Sequence, residues 1–86
     1  MVTAPERLAR QMARHFGHKV EVREVAGRQI VTIPAGVFEL EPRGEVLAVT
    51  IDAPDEASRA RVEEVCADHL ERFAHASLAI DWRHTG

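Results

Sequence analysis

The longest periodic segment of the chain covers residues 52–76, which read DAPDEASRARVEEVCADHLERFAHA. Its apolar and weakly polar residues recur at the three- and four-residue spacing of one helical face, at Val62, Val65, Cys66, His69, Leu70, Phe73 and Ala74. Charged residues occupy the opposite face, and the acidic start around Pro54 and Asp55 suits a capped first turn. The segment predicts an amphipathic helix over residues 56–74, which needs an apolar surface to pack against.

A second, shorter helix is predicted near the N-terminus. Thr3 and Glu6 have the spacing of a capping box around Pro5, and apolar residues then recur at helical spacing as far as Phe16. We expect Gly17 to end this helix in the left-handed conformation that glycine adopts readily. Arginines form a basic stripe away from the apolar side of the helix, at Arg7, Arg10 and Arg14.

Between the two helices the apolar pattern changes to a period of two, which indicates β-strands. Turn residues separate four short strands, at about residues 20–23, 30–33, 37–41 and 46–51. The same alternation returns at residues 78–82, after the long helix, and predicts a last strand. Because the turns between the first four strands are short, an antiparallel meander is the expected topology.

These elements predict an α+β fold in the order α-β-β-β-β-α-β. Two amphipathic helices can cover one face of the sheet, which gives a two-layer sandwich built on a mainly antiparallel meander sheet. The uncovered face is expected to mix polar residues with aliphatic ones, namely Val37, Val46, Ala48 and one of the pair Val31 and Ile33. If these aliphatic residues are contiguous, they form a surface suited to a homodimer.

The composition is that of one ordinary globular domain spanning residues 1–86. A net charge of −3 gives no reason to expect nucleic acid as a partner. No apolar run approaches the roughly 20 residues that span a bilayer, and the N-terminus lacks the layout of a secretory signal. We therefore expect no membrane contact and a cytoplasmic location. A single cysteine cannot form an intramolecular disulfide.

Five histidines invite a metal or haem hypothesis. Cys66 and His69 lie one turn apart on one helical face, and thiolate and imidazole are ligands for zinc, copper and haem iron. The same positions fall inside the apolar stripe, where packing of the thiol and a backbone partner for the imidazole are the competing interpretation. His15 and His18 straddle the end of the first helix, where capping is the alternative to metal binding. The metal candidates are therefore His15, His18, Cys66 and His69.

Residues suited to catalysis are few. The chain has no tyrosine, and neither Ser58 nor Ser77 lies in the sequence context of a nucleophile elbow. Neither of the glycine-rich phosphate-binding fingerprints is present. We therefore predict no catalytic residue, and the sequence favours a protein that is not an enzyme.

Four strings of residues resemble a known family. They are ARHFGHKVEV at 13–22, the IPAG turn at 33–36, HLERFA at 69–74 and LAIDW at 78–82. Together they span nearly the whole chain, and they resemble the bacterial family catalogued as domain of unknown function 2218. The resemblance implies a compact α+β domain.

The resemblance also suggests a biological setting. Members of that family resemble accessory domains found beside or fused to siderophore-interacting, flavin-dependent ferric reductases, which implies a role in iron acquisition. On this basis, contacts with a ligand or partner are expected from the two helix-end strings, at His15, Gly17, His18, Lys19, His69, Glu71 and Arg72. The basic stripe adds Arg7 and Arg14 to these candidate contacts.

Three hypotheses of function follow from the sequence. The first is a non-enzymatic binding or interaction module for iron or siderophore handling, with a siderophore-interacting flavin reductase or an iron ligand as its partner. The second is a small metal- or haem-binding protein. The third is a self-associating domain without a ligand. The sequence identifies no cofactor.

Overall fold

The computed structural model describes residues 4–73 and 79–85 of the chain. Over these residues it confirms the predicted α+β fold and the predicted order of two helices and five strands. The elements are α1 (Pro5–Phe16), β1 (Glu21–Val25), β2 (Arg28–Ile33), β3 (Gly36–Arg43), β4 (Val46–Asp52), α2 (Glu56–Phe73) and β5 (Ala79–Thr85).

The five strands form one sheet in the order β1-β2-β3-β4-β5. The first four pair antiparallel, as the short turns predict, with Leu40 opposite both Gln29 and Val49 at the centre of the ladder. β5 instead pairs parallel with β4, with Val49 beside Trp82. A parallel neighbour requires a long crossover, and α2 supplies it. The sheet is therefore mixed, with one parallel pair added to the meander.

The turn between β1 and β2 shows how the local sequence sets the register. Ala26 and Gly27 both have positive φ, of 52° and 80°. Two consecutive residues with positive φ make the tight turn whose twist matches that of the flanking strands. Val25 consequently lies opposite Arg28, and Val22 opposite Val31 on the inner face.

Both helices cover the same face of the sheet, as predicted. Their buried side chains and those of the inner sheet face form one hydrophobic cluster, which contains Leu8, Ala9, Met12, Phe16, Val31, Phe38, Leu40, Leu47, Val49, Ile51, Val62, Cys66 and Leu70. Its burial is the main stabilising contribution to a domain of this size. Half-buried residues at the rim, including Phe73 and Trp82, pack against it.

The start of α2 is capped as its sequence predicts. The Ser58 N–H donates to Asp55 Oδ1 at 2.7 Å, and the Arg59 N–H donates to the Asp55 carbonyl oxygen at 2.9 Å. Hydrogen bonds from the Ser58 backbone and then its side chain lower the pKa of the Asp55 carboxyl. α2 ends at Phe73, so the predicted last stripe residue, Ala74, lies outside the described residues.

The ends of α1 differ from the sequence prediction. Ala4 is the N-cap and makes no side-chain capping bond, and the predicted cap, Thr3, lies outside the described residues. The prediction that Gly17 is left-handed is wrong, because its φ of −60° and ψ of −16° are right-handed helical values. The chain keeps turning after α1, and the Gly17 N–H donates to the Ala13 carbonyl oxygen at 2.8 Å. A Cβ at Gly17 would lie 3.0 Å from that oxygen, so this position favours glycine for space.

The outer face of the sheet, away from the helices, mixes aliphatic and charged residues. Either Val31 or Ile33 was predicted to lie here, but both pack toward the core and Ile30 is on the outer face instead. β2 starts two residues earlier than the sequence suggested, since Arg28 already pairs with β1. Arg28 and Glu39 form an ion pair of 2.6 Å on this face. The use of this outer face as a homodimer surface stays a prediction.

Neither helix in the described ranges has the length and apolar character needed to cross a membrane.

Candidate functional site

Four rings come together where α1 and α2 both end. The ring centres of His15 and His69 are 5.0 Å apart, and those of Phe16 and His69 are 4.7 Å apart. His15 also contacts Phe73, with ring centres 5.4 Å apart and planes inclined at 64°. We call His15, Phe16, His69 and Phe73 the ring cluster. It joins side chains from two helices that are far apart in sequence.

Helical spacing and one deep anchor assemble the ring cluster. His69 and Phe73 are four residues apart and therefore point to the same side of α2. His15 and Phe16 close the last turn of α1, where their rings meet edge to face with centres 5.3 Å apart. Phe16 is buried and packs edge to face on Phe38 of the central strand. The end of α1 is thus fixed to the sheet, which holds His15 beside α2.

The imidazole of His69 has a defined hydrogen bond. Its Nδ1 lies 2.8 Å from the carbonyl oxygen of Val65, one turn earlier in α2. A carbonyl oxygen can only accept, so Nδ1 carries the proton of this bond. The neutral ring therefore has its lone pair on Nε2. This confirms the expectation that His69, half-buried on the stripe, finds a backbone partner.

His15 is exposed to solvent, although it lies within the stretch of apolar helical spacing that ends at Phe16. One flank of its imidazole nevertheless lies against the other three rings. Partial desolvation there lowers the pKa of His15 below its ordinary value of 6.5. Positive charges nearby lower this pKa further, and they belong to His69, Lys19, His18 and Arg72.

Basic side chains lie close enough to His15 to act on it electrostatically. His18 and Lys19 follow α1 in a turn in which the N–H groups of Lys19 and Val20 donate to the Phe16 carbonyl oxygen, at 3.0 and 2.9 Å. Arg72, in the last turn of α2, is exposed and forms an ion pair with Asp68 at 3.6 Å. Exposed pairs of this kind contribute little to stability. Lys19 and Arg72 therefore bring positive charge close to His15, and the Asp68 carboxylate offsets part of it at Arg72.

Other predicted site residues lie away from the ring cluster. Cys66 is fully buried in the core, and burial, together with the Glu63 carboxylate, raises the pKa of its thiol to about 12. The packing interpretation of Cys66 is therefore confirmed, and its thiol stays protonated at neutral pH. Glu71 is exposed on α2, and no contact between it and the rings is seen among the described residues.

The basic stripe of α1 forms a separate surface. Arg7, Arg10 and Arg14 are exposed along a depression that is lined, within the described ranges, by residues of α1 and its cap. Arg10 forms a loose ion pair of 3.9 Å with Glu6. A depression on one helix lacks the convergent walls of a ligand pocket. A second groove, of about 380 Å³, lies between the start of α1 and the β1–β2 hairpin and has a polar lining.

The described part of the chain holds no group of three or more histidine, cysteine or acidic residues placed to bind a metal ion. Of the four predicted metal candidates, the structure brings only His15 and His69 into ring contact. Phe16 and Phe73 fall on the apolar sides of the two predicted helices, and this pattern gave no sign that they frame the histidine pair. The spacing of His69 and Phe73 gave a signal for one side of the cluster, but nothing local indicated that α1 ends beside them.

We expect stability to fall as the pH is lowered from about 7.5 to 5.5. A histidine whose pKa is lower in the folded state contributes stability above its unfolded pKa of about 6.5, and this contribution is lost as the pH falls toward the folded pKa. The melting temperature measured across this range should decline less in His15→Gln than in the parent chain. The Asp55 carboxyl titrates below this window and the Cys66 thiol above it. Equal declines in both proteins would contradict the assignment to His15.

Comparison with known proteins gives one match. The family model described as an uncharacterized protein conserved in bacteria (DUF2218) matches residues 1–83. No curated protein and no solved structure matches the chain.

Proposed function

The chain belongs to DUF2218, a family of uncharacterized proteins conserved in bacteria, and we propose that it is a non-enzymatic binding module for iron or siderophore handling. The observation that supports this proposal is the contact between His15 and His69, with the exposed cations Lys19 and Arg72 close to His15. No catalytic residue is part of the proposal.

The chemistry of this surface favours an aromatic anion. The edges and faces of the ring cluster offer stacking contacts, and Phe73 is only half-buried. Lys19 and Arg72 add positive charge that attracts a negatively charged ligand and can donate hydrogen bonds to it. A ligand that is both flat and anionic uses both features, whereas a neutral aliphatic ligand uses neither.

Ferric complexes of catecholate siderophores have this combination of properties. Three catecholate groups bring six negatively charged oxygens to one ferric ion, so the complex is a trianion with aromatic walls. We propose that such a complex binds over the ring cluster. The setting implied by the family resemblance would then be the presentation of this complex to a siderophore-interacting flavin reductase.

Removing the two exposed cations is expected to weaken binding of a ferric tris-catecholate complex by up to about thirtyfold. Each exposed charge contributes up to about 1 kcal/mol, and 1.4 kcal/mol corresponds to a factor of ten. The test is a titration of the purified chain and of the double variant Lys19→Gln/Arg72→Gln, followed by amide NMR shifts. Raising the salt concentration should lower the affinity of the parent chain for the complex, and it should lower the affinity of the double variant less.

A matched control removes the same charge elsewhere. Arg23→Gln/Arg83→Gln changes two exposed arginines on strands β1 and β5, and it should bind the complex as the parent chain does. The proposal fails if the parent chain shows no saturable shift at the ring cluster, or if both double variants lose the same affinity. A ferric hydroxamate complex without aromatic rings or net charge should bind much more weakly than the catecholate.

A further inference from the structure

The distance between the two histidine rings suits a shared metal ion. An imidazole nitrogen binds zinc or copper at about 2.0–2.1 Å, so two imidazoles on one tetrahedral ion have their ring centres about 5 Å apart. The ring centres of His15 and His69 are 5.0 Å apart, with an angle of 47° between the planes.

The hydrogen bond of His69 prepares its ring for coordination. Because the Nδ1–H donates to the Val65 carbonyl oxygen, the lone pair of the neutral ring is on Nε2. Histidines that bind metals usually donate their second ring N–H to such a partner, which fixes the tautomer and the ring orientation. His69 thus already has the outer hydrogen bond of a metal ligand.

The position of His15 also suits a ligand. Its imidazole is exposed to solvent beside the half-buried ring of His69, so an ion from solution can reach both rings. The charged groups close to His15 act against a cation, and they are Lys19 after α1 and Arg72 on α2; His18 is a further titratable neighbour. An ion held here must therefore gain most of its binding energy from the two nitrogens.

We propose that His15 and His69 together bind one late first-row divalent ion, with Cu²⁺ bound more tightly than Zn²⁺. Imidazole suits both ions, and Cu²⁺ has the higher affinity for a given set of nitrogen ligands. Two protein ligands leave the remaining coordination positions to water or to an anion, which the surrounding cations favour. This site does not depend on the proposed siderophore function, because it is tested with the metal alone.

The test is a titration of the full chain with Zn²⁺ or Cu²⁺ salts near pH 7.5. We expect one ion per chain with micromolar affinity, Zn²⁺-induced NMR shifts at both imidazoles, and two nitrogen ligands in the Cu²⁺ spin-resonance spectrum. His15→Gln and His69→Gln should each lower the affinity at least tenfold, and binding should weaken as the pH falls to 5.5.

His18→Gln is the matched control, since it removes a neighbouring histidine that the site does not use, and it should keep the parent affinity. Circular dichroism confirms that each variant is folded before the titration. An equal loss of affinity in His18→Gln overturns the two-histidine assignment. Binding that survives in the double variant His15→Gln/His69→Gln, or no binding by the folded parent chain, overturns the site itself.

Discussion

The Phe38→Ala variant is expected to be largely unfolded at temperatures just below the melting temperature of the parent chain. Phe38 is fully buried on the inner face of the central strand and contacts Phe16 of α1. Removing a buried phenylalanine side chain costs about 3–5 kcal/mol, because apolar burial is lost and a cavity remains. A domain of 86 residues has a total stability of only about 4–13 kcal/mol. One substitution therefore removes a large share of it.

The measurement is thermal and urea unfolding followed by circular dichroism. For a domain of this size, 1 kcal/mol shifts the melting temperature by about 4–8 °C, so Phe38→Ala should lower it by at least about 12 °C. Phe73→Ala is the matched control, because it removes the same atoms from a half-buried ring. We expect it to cost about 1–2 kcal/mol. Equal shifts in the two variants would show that the core is not centred on Phe38.

The variants also separate stability from binding. Phe73 lies in the ring cluster but only at the rim of the core. Phe38 is in the core and contacts the cluster through Phe16. Phe73→Ala should therefore keep the fold and change the surface around His15. The proposed ligand site depends on the core only because the core fixes the end of α1.

The elements that the sequence predicted well have a strong local period. The stripe from Val62 to Leu70 has the period of a helix alone. The cap at Asp55 follows from the acidic residues just before that stripe. The four antiparallel strands are joined by turns of two residues, so sequence neighbours become sheet neighbours. Local information was sufficient for these elements and for their order.

The features that the sequence missed depend on longer-range contacts or on fine geometry. The sequence of β5 does not determine that the strand pairs parallel with β4, because that pairing depends on where α2 returns the chain. The meeting of His15 and His69 depends on how two helices cross the same sheet face. Gly17 has the sequence signature of a left-handed helix end, yet the close Ala13 carbonyl oxygen, and not its φ, is what favours glycine there.

Gly36→Ala is expected to destabilise the domain by about 3 kcal/mol. A Cβ at this position would lie 2.7 Å from the carbonyl oxygen of Asp52, and also close to Val62 and Ala53, at 3.1 and 3.2 Å. The closest atom belongs to the backbone, so no change of rotamer can relieve the clash. Overpacking of this kind typically costs 1–3 kcal/mol, and about the upper limit applies where backbone must move. The φ of Gly36 is outside the left-handed region, so space alone requires glycine here.

The contact at Gly36 joins three parts of the fold. The residue begins β3, while Asp52 ends β4 and Val62 lies on the buried stripe of α2. Pushing these apart shifts the start of α2, and because α2 is a rigid rod, the displacement reaches His69 at its far end. We therefore expect Gly36→Ala to lower the melting temperature by about 12 °C or more and to change the imidazole signals of the histidine pair.

Gly44→Asn is the control that separates crowding from backbone conformation. Gly44 has a φ of +61° and no atom within 4 Å of an added Cβ, and asparagine tolerates this region better than most residues. Its cost should stay within about 1 kcal/mol. If Gly44→Asn lowers the melting temperature as much as Gly36→Ala does, close packing of β3 against the start of α2 is not what restricts Gly36. The larger shift in Gly36→Ala, with altered His15 and His69 signals, would show that the turn before β3 and the ring cluster are linked through α2.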